Sequence, residues 1–328
     1  MPLFDLSAEE LLTYRITTAE PDGLDQWWAQ RLDKARSVAA PLTLDRHAPD
    51  AYGPTPVWDV EFSGSDGDRI RGWYLRPAGV APDEPLPVVV TFIGYGGGRG
   101  VPTEHMVLPG AGFANLVMDT RGQGGRWTVG ATGDRVPASS GPEYPGVMTR
   151  GIADPDTYYF SRLLTDAARA VDVAAELPGA DPSRLAVAGG SQGGGLALAA
   201  AALSGDRVRV CHADVPFLCD LQRAVTITGG YPYAEIADFL AQHTDLVPQA
   251  LDTLRYVDCA LLARRITADC LLSVGLMDEI CPPSTVYAAY HEIPSTKELA
   301  VFPFGVHATP GSHAERKLRH LRERLLPA

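Results

Sequence analysis

Residues 186–195 read A-V-A-G-G-S-Q-G-G-G and contain G-x-S-x-G as Gly189, Ser191 and Gly193. Small residues on both sides of a serine suit a strained turn between strand and helix, because the backbone can close tightly while Oγ projects. Such a hydroxyl becomes a useful nucleophile when a histidine takes its proton and a carboxylate orients the histidine. A Gly-rich turn can instead cradle a phosphate. No Lys-Ser/Thr pair follows these glycines, which excludes a P-loop. The other Gly-rich run, Gly94-Tyr95-Gly96-Gly97-Gly98-Arg99-Gly100, puts Arg99 or Val101 where a dinucleotide loop needs its third glycine. The chemistry to look for is nucleophilic.

The motif counts only if a strand precedes it and a helix follows it. Arg184 to Ala188 reads as a buried strand and Gln192 to Leu203 as a helix. Further continuous apolar runs predict strands at Val88 to Ile93, Ala114 to Asp119, Val208 to His212, Cys270 to Val274 and Glu298 to Phe304. Tyr159 to Leu177 has helical periodicity. Apolar strands alternating with helices predict an α/β protein, with a mostly parallel central sheet covered on both faces. Val57 to Phe62 and Ile70 to Leu75 flank a segment dense in turn formers and predict an antiparallel hairpin. Residues 1–50 read as a helical, polar extension, with Leu24 to Ala39 the best amphipathic stretch. Residues 215–267 interrupt the rhythm and read as a helical insertion over the sheet's carboxyl edge, where open α/β sheets place their sites. One α/β-hydrolase domain over 1–328 accounts for the whole pattern.

In that fold the chain order is serine, acid, histidine. His307 follows the strand Glu298 to Phe304 after the turn-like Gly305, so it falls in a loop at a strand's carboxyl end. His313 and His320 fall on a terminal helix and His291 on a helix beginning near Pro283. His313 is the nearest rival to His307. Asp278 comes first after the Gly275 turn and is preferred as the acid, with Glu279 as the alternative. Acyl transfer also needs donors aimed at the developing oxyanion. The fold rule supplies the Gln192 N–H, and the loop after Val88 to Ile93 supplies the Tyr95 N–H.

The whole chain sets bounds on this reading. Its 328 residues are enough for a core without staples, and the apolar and charged fractions, 45% and 21%, are ordinary. A net charge of −12 gives no basic footprint for nucleic acid or an anionic membrane. The N-terminus carries acids where a signal peptide needs basic residues, and no apolar run approaches the ~20 residues that span a bilayer. Cys211, Cys219, Cys259, Cys270 and Cys281 are odd in number and lack C-x-x-C spacing. They predict buried free thiols and a cytoplasmic location.

At these residues the chain resembles the carbohydrate esterases that include acetyl xylan esterases and cephalosporin C deacetylases. The matching segments are Gly94-Tyr95 with Gly97 to Gly100, Met118 to Gly124 (M-D-T-R-G-Q-G), Tyr144 to Ile152 (Y-P-G-V-M-T-R-G-I) and Gly189 to Gly195. They continue through Asp214 to Cys219, Pro232 to Ile236 and Ser273 to Thr285, with Phe4-Asp5-Leu6 and Leu11 to Arg15 near the start. The resemblance implies Ser191, Asp278 and His307 as a catalytic triad and Tyr95 and Gln192 as the oxyanion hole. It further implies that Tyr95 and Pro232 wall a tight acyl pocket and that Arg121 and Gln123 brace the site. No metal or other cofactor is implied. The expected substrates are acetylated xylo-oligosaccharides and related small esters, cephalosporin C type compounds among them, and the expected assembly is a homohexamer. Two positions depart from the family pattern. Ala308 replaces the usual Glu after the histidine, and Gly96 replaces the usual Asn after Gly-Tyr, which alters the pocket's mouth. A peptidase, a lactone hydrolase or a non-catalytic binding protein on the same fold remain as rival readings.

Overall fold

A computed structural model describes residues 4–135 and 146–326; Met1 to Leu3, Tyr144 and Pro145 therefore lie outside the described residues. Among the described residues nine strands form one sheet: β1 (Thr43–Arg46), β2 (Val57–Ser63), β3 (Arg69–Leu75), β4 (Leu86–Phe92), β5 (Ala114–Met118), β6 (Ala180–Gly190), β7 (Val208–Asp214), β8 (Asp269–Gly275) and β9 (Lys297–Phe302). Their order is β1-β2-β3-β5-β4-β6-β7-β8-β9. The β1/β2, β2/β3 and β3/β5 pairs are antiparallel. From β5 to β9 every pairing is parallel. This is the α/β-hydrolase fold.

Alternation along the strands splits the core between the two faces. Val88, Val90 and Phe92 of β4 pack in the large cluster with the helices Tyr159–Ala174 and Gln192–Ser204. Val89, Ala186 and Val210 point the other way and pack with Leu321 and Leu325 of the last helix, Gly311–Leu325. The helix Tyr159–Ala174 is buried along its whole length, charges included. Asp166 and Asp172 each meet arginines there, so the buried charges are compensated.

The sequence reading differs from the structure at two strands. Thr43–Arg46, in the stretch read as helical, pairs with β2 as an edge strand. β6 also begins earlier than expected, at Ala180, with irregular register before Ala186. Between β7 and β8 the chain forms the helices Leu221–Ile227, Tyr233–Gln242, Val247–Val257 and Cys259–Leu262. No helix among the described residues is long and apolar enough to cross a membrane.

Candidate active site

Ser191 joins β6 to the helix Gln192–Ser204 with φ 57° and ψ −123°, a conformation that a side-chain-bearing residue rarely adopts. Three backbone hydrogen bonds hold it there. The Ser191 N–H donates to Asp214 O at 2.9 Å, and the Ser191 carbonyl accepts from Gly195 and Phe217 at 3.1 and 2.9 Å. The flanking glycines are required by space. A Cβ at Gly189 would collide with the Gly193 backbone, and one at Gly193 with the Phe92 carbonyl.

Asp278 and His307 arrive from neighbouring strands. The loops after β8 and β9 are tied together by Leu276 N–H to Phe302 O at 3.0 Å and Met277 N–H to Gly305 O at 2.9 Å. That brings His307 Nδ1 to 2.8 Å from Asp278 Oδ2. The second carboxylate oxygen of Asp278 accepts the Ile280 and Cys281 N–H groups, each at 2.9 Å. Asp278 is fully buried, whereas Glu279 points to solvent. Binding His307 through Nδ1 leaves its other ring nitrogen for work in the pocket. His307 and Ser191 line the same cavity, of about 280 Å³, with Gly94, Tyr95, Arg126, Trp127, Tyr231, Pro232 and Ile280.

Larger clefts, of about 680, 510 and 360 Å³, exist elsewhere among the described residues. None of the three is lined by a histidine, so chemistry rather than volume singles out the smaller cavity. Asp278, Cys281 and His307 bring ligand atoms within 4.8 Å of one another, close enough to hold a metal ion. Both Asp278 oxygens already have partners. Burial pushes the Cys281 thiol well above its ordinary value, with the Asp278 charge adding and the Ser191 hydroxyl opposing. A protonated thiol is a poor ligand, and the trio is better suited to proton transfer.

The sequence profile of the acetyl xylan esterase family matches residues 1–324. The chain belongs to the acetyl xylan esterase family. It is similar to the acetyl xylan esterase of Paenibacillus sp. R4, with 34% identity and a TM-score of 0.90 over 98% of this chain and 100% of that one. It is also similar to acetyl xylan esterase 1 of Thermoanaerobacterium sp., with 32% identity and a TM-score of 0.90 over 99% and 100% of the two chains. The acetyl esterase Axe7A of Xylanibacter ruminicola is 30% identical over 297 residues, 89% of this chain; the matched part spans 64% of that longer protein. Carboxylic ester hydrolysis is the chemistry that the family's name denotes.

The remaining positions singled out by the family resemblance converge around this cavity. Gln123 links three parts of it, accepting the Gly96 N–H at 2.6 Å and donating to Gln192 Oε1 at 2.8 Å and Tyr159 Oη at 2.9 Å. Gln192 also donates from Nε2 to Ile93 O at 3.1 Å. Its backbone N–H opens a helix, where no intrahelical acceptor is available. Arg121 is fully buried and grips Asp166 through two bonds of 2.5 and 2.8 Å, with Asp68 and Asp134 on its remaining nitrogen. Burial opposes its charge, but these carboxylates outweigh it and hold the guanidinium ionised. The Arg121 carbonyl accepts the Tyr159 hydroxyl at 2.6 Å, so this charge cluster braces Gln123 from behind. Pro232 lines the cavity wall.

Four further residues belong to this site. Glu235 accepts the Tyr95 hydroxyl at 2.8 Å and the Met148 N–H at 3.2 Å, and its burial raises its pKa. Pro232 to Ile236 matched the family, but nothing local marked Glu235 as the partner of a tyrosine 140 residues away. The sequence around Cys281 predicts only a buried thiol. Arg126 and Trp127 follow the R-G-Q-G segment directly, and that adjacency was the available signal.

Proposed function

We propose that the chain is a serine esterase that removes acetyl groups from acetylated xylo-oligosaccharides and related small esters, cephalosporin C type substrates included, through an acyl-enzyme intermediate. His307 takes the proton of Ser191 as Oγ attacks the acetyl carbonyl carbon. The carbonyl oxygen becomes an oxyanion held by the Tyr95 and Gln192 N–H groups. His307 then gives the proton to the departing alcohol oxygen. A water repeats the sequence on the acyl-serine, releasing acetate and restoring Ser191. Asp278 keeps the His307 tautomer and stabilises its charge as it forms.

One observation carries this reading: Ser191 and His307 share a small walled cavity, and the buried Asp278 fixes His307 at 2.8 Å from behind. The Tyr95 ring and Pro232 close the acyl side. Tyr95 is held by Glu235 and by the Val147 N–H, so it cannot swing aside cheaply. Overpacking a well-filled site costs about 1–3 kcal/mol, or roughly 5- to 150-fold in rate if felt in the transition state. Acetyl esters should beat butyryl esters by at least about tenfold in kcat/KM. Comparing p-nitrophenyl acetate, butyrate and octanoate tests this, and a flat or rising series would overturn it. Cleavage of aminoacyl amides in preference to acetyl esters would favour a peptidase, and failure to turn over any ester would favour a binding protein.

The proposal includes assembly and location. A homohexamer follows from the family resemblance, and the apolar rim formed by Phe304, 85% exposed, and Val306 beside His307 is consistent with burial against another copy. Light scattering at micromolar concentration should exceed the monomer mass of 35.1 kDa. The five free, buried cysteines fit a reducing, cytoplasmic setting.

A further inference from the structure

Arg126 stands apart from the other arginines around the site. Arg99 pairs with Asp59, Arg121 with Asp166, and Arg150 and Arg162 with Asp134. Arg126 makes no ion pair among the described residues, yet it is exposed and lines the cavity that holds Ser191. Glu235 is the carboxylate that feels its charge, and that group is already engaged by Tyr95 and by backbone N–H groups. In a chain of net charge −12, Arg126 is the cation that lines the reaction cavity.

The loop carrying Arg126 is held in place. The Arg126 N–H donates to Gly96 O at 3.1 Å. Gly96 has φ 81°, and a Cβ there would press to 3.0 Å from Arg126 Cβ and Cδ. The absence of a side chain at Gly96 therefore leaves room for the Arg126 stem. Beside it, Trp127 is 58% exposed but oriented, because its indole N–H donates to Tyr95 O at 2.9 Å and its ring lies against Gly94 and Gly97. A rigid aromatic surface offers an apolar platform for the C–H face of a pyranose ring. A guanidinium fork beside it matches a carboxylate in two-point geometry.

We propose that Arg126 and Trp127 form an alcohol-side subsite for an acetylated sugar that carries a carboxylate, that is, a uronate residue next to the scissile ester. This rests on the esterase reading. It predicts that acetylated methyl glucopyranosiduronate is cleaved with a higher kcat/KM than the matched acetylated methyl glucopyranoside. Exposed charge pairs are weak, so the preference should be about three- to fivefold at low salt. Raising salt to about 0.5 M, where the screening length falls to a few ångströms, should bring it close to one. Arg126→Gln should erase the preference and Arg126→Lys should keep part of it. Because the readout is a ratio within one preparation, a general loss of activity in a variant does not imitate the effect, and the salt series on the unaltered enzyme needs no variant. No preference in the unaltered enzyme, or one that neither salt nor Arg126→Gln moves, would overturn the subsite while leaving the esterase reading intact. Failure to cleave either sugar while p-nitrophenyl acetate is still turned over would overturn the subsite alone, and failure on all three would overturn the esterase reading as well.

Discussion

Two Asp–His pairs flank the nucleophile elbow in the fold, and their hydrogen bonds have the same length. His307 Nδ1 lies 2.8 Å from Asp278 Oδ2, and His313 Nε2 lies 2.8 Å from Asp214 Oδ1. Both acids stand at or just past the carboxyl ends of parallel strands, and both histidines come late in the chain. The surroundings differ. The His307 side chain is 21% exposed and opens on the cavity with Ser191, whereas that of His313 is 1% exposed. His313 Nδ1 is buried without a partner, and Asp214 is also held by Lys317 and by the Ser273 hydroxyl at 2.9 Å. The carbonyl of Asp214 takes the Ser191 N–H, so the second pair supports the elbow from beneath. A hydrogen bond between acid and imidazole does not by itself make a site. Which ring nitrogen is bound, and what the other one faces, decides it.

The comparison breaks most sharply under substitution of the three residues proposed to react. Ser191→Ala and His307→Ala should each cost about 10⁶ in kcat while far-UV circular dichroism stays unchanged. His313→Ala should keep kcat within about tenfold and instead lower unfolding free energy by about 1–3 kcal/mol in urea, since a buried hydrogen bond to a charged group is lost. The reverse pattern would mean that the pairs have been assigned the wrong way round. Asp278→Asn should lower kcat by about 10³ to 10⁴ with little change in KM, because the wrong imidazole tautomer is then favoured. Glu279→Gln should do little, and a larger effect there would move the acid by one residue.

The smallest expected effect is in acid stability. Burial would raise the Asp214 pKa, but the His313 hydrogen bond and Lys317 outweigh it and hold the carboxyl well below the usual range. A carboxyl depressed by folding contributes stability that is present above its unfolded value of about 3.9 and is lost as pH falls toward the lower folded value. Lys317→Met should therefore lose about 1 kcal/mol less stability than the unaltered protein between pH 5 and pH 2, measured by urea unfolding at each pH. Parallel curves would remove Lys317 from the pair.

What the sequence revealed follows from local periodicity. The apolar runs of β4, β5, β7 and β8 are buried on both faces and announce themselves, as does the glycine spacing around Ser191. β1 does not, because Thr43–Arg46 is polar and largely exposed at an edge. The early part of β6 is A-D-P-S-R, which reads as a turn. His307 and Asp278 could be placed by chain order in the fold. The partnership of His313 with Asp214, 99 residues apart, and of Tyr95 with Glu235 could not, since long-range side-chain contacts leave no periodic trace.

The most direct test of the proposed chemistry is the site and dependence of covalent labelling. The protein, His307→Ala and His313→Ala should each be treated with a fluorophosphonate, digested and read by mass spectrometry. The account predicts one adduct, on Ser191, formed rapidly in the unaltered protein and in His313→Ala and slowed by orders of magnitude in His307→Ala. An adduct on another residue, or labelling of Ser191 that depends on His313 and not on His307, would contradict it.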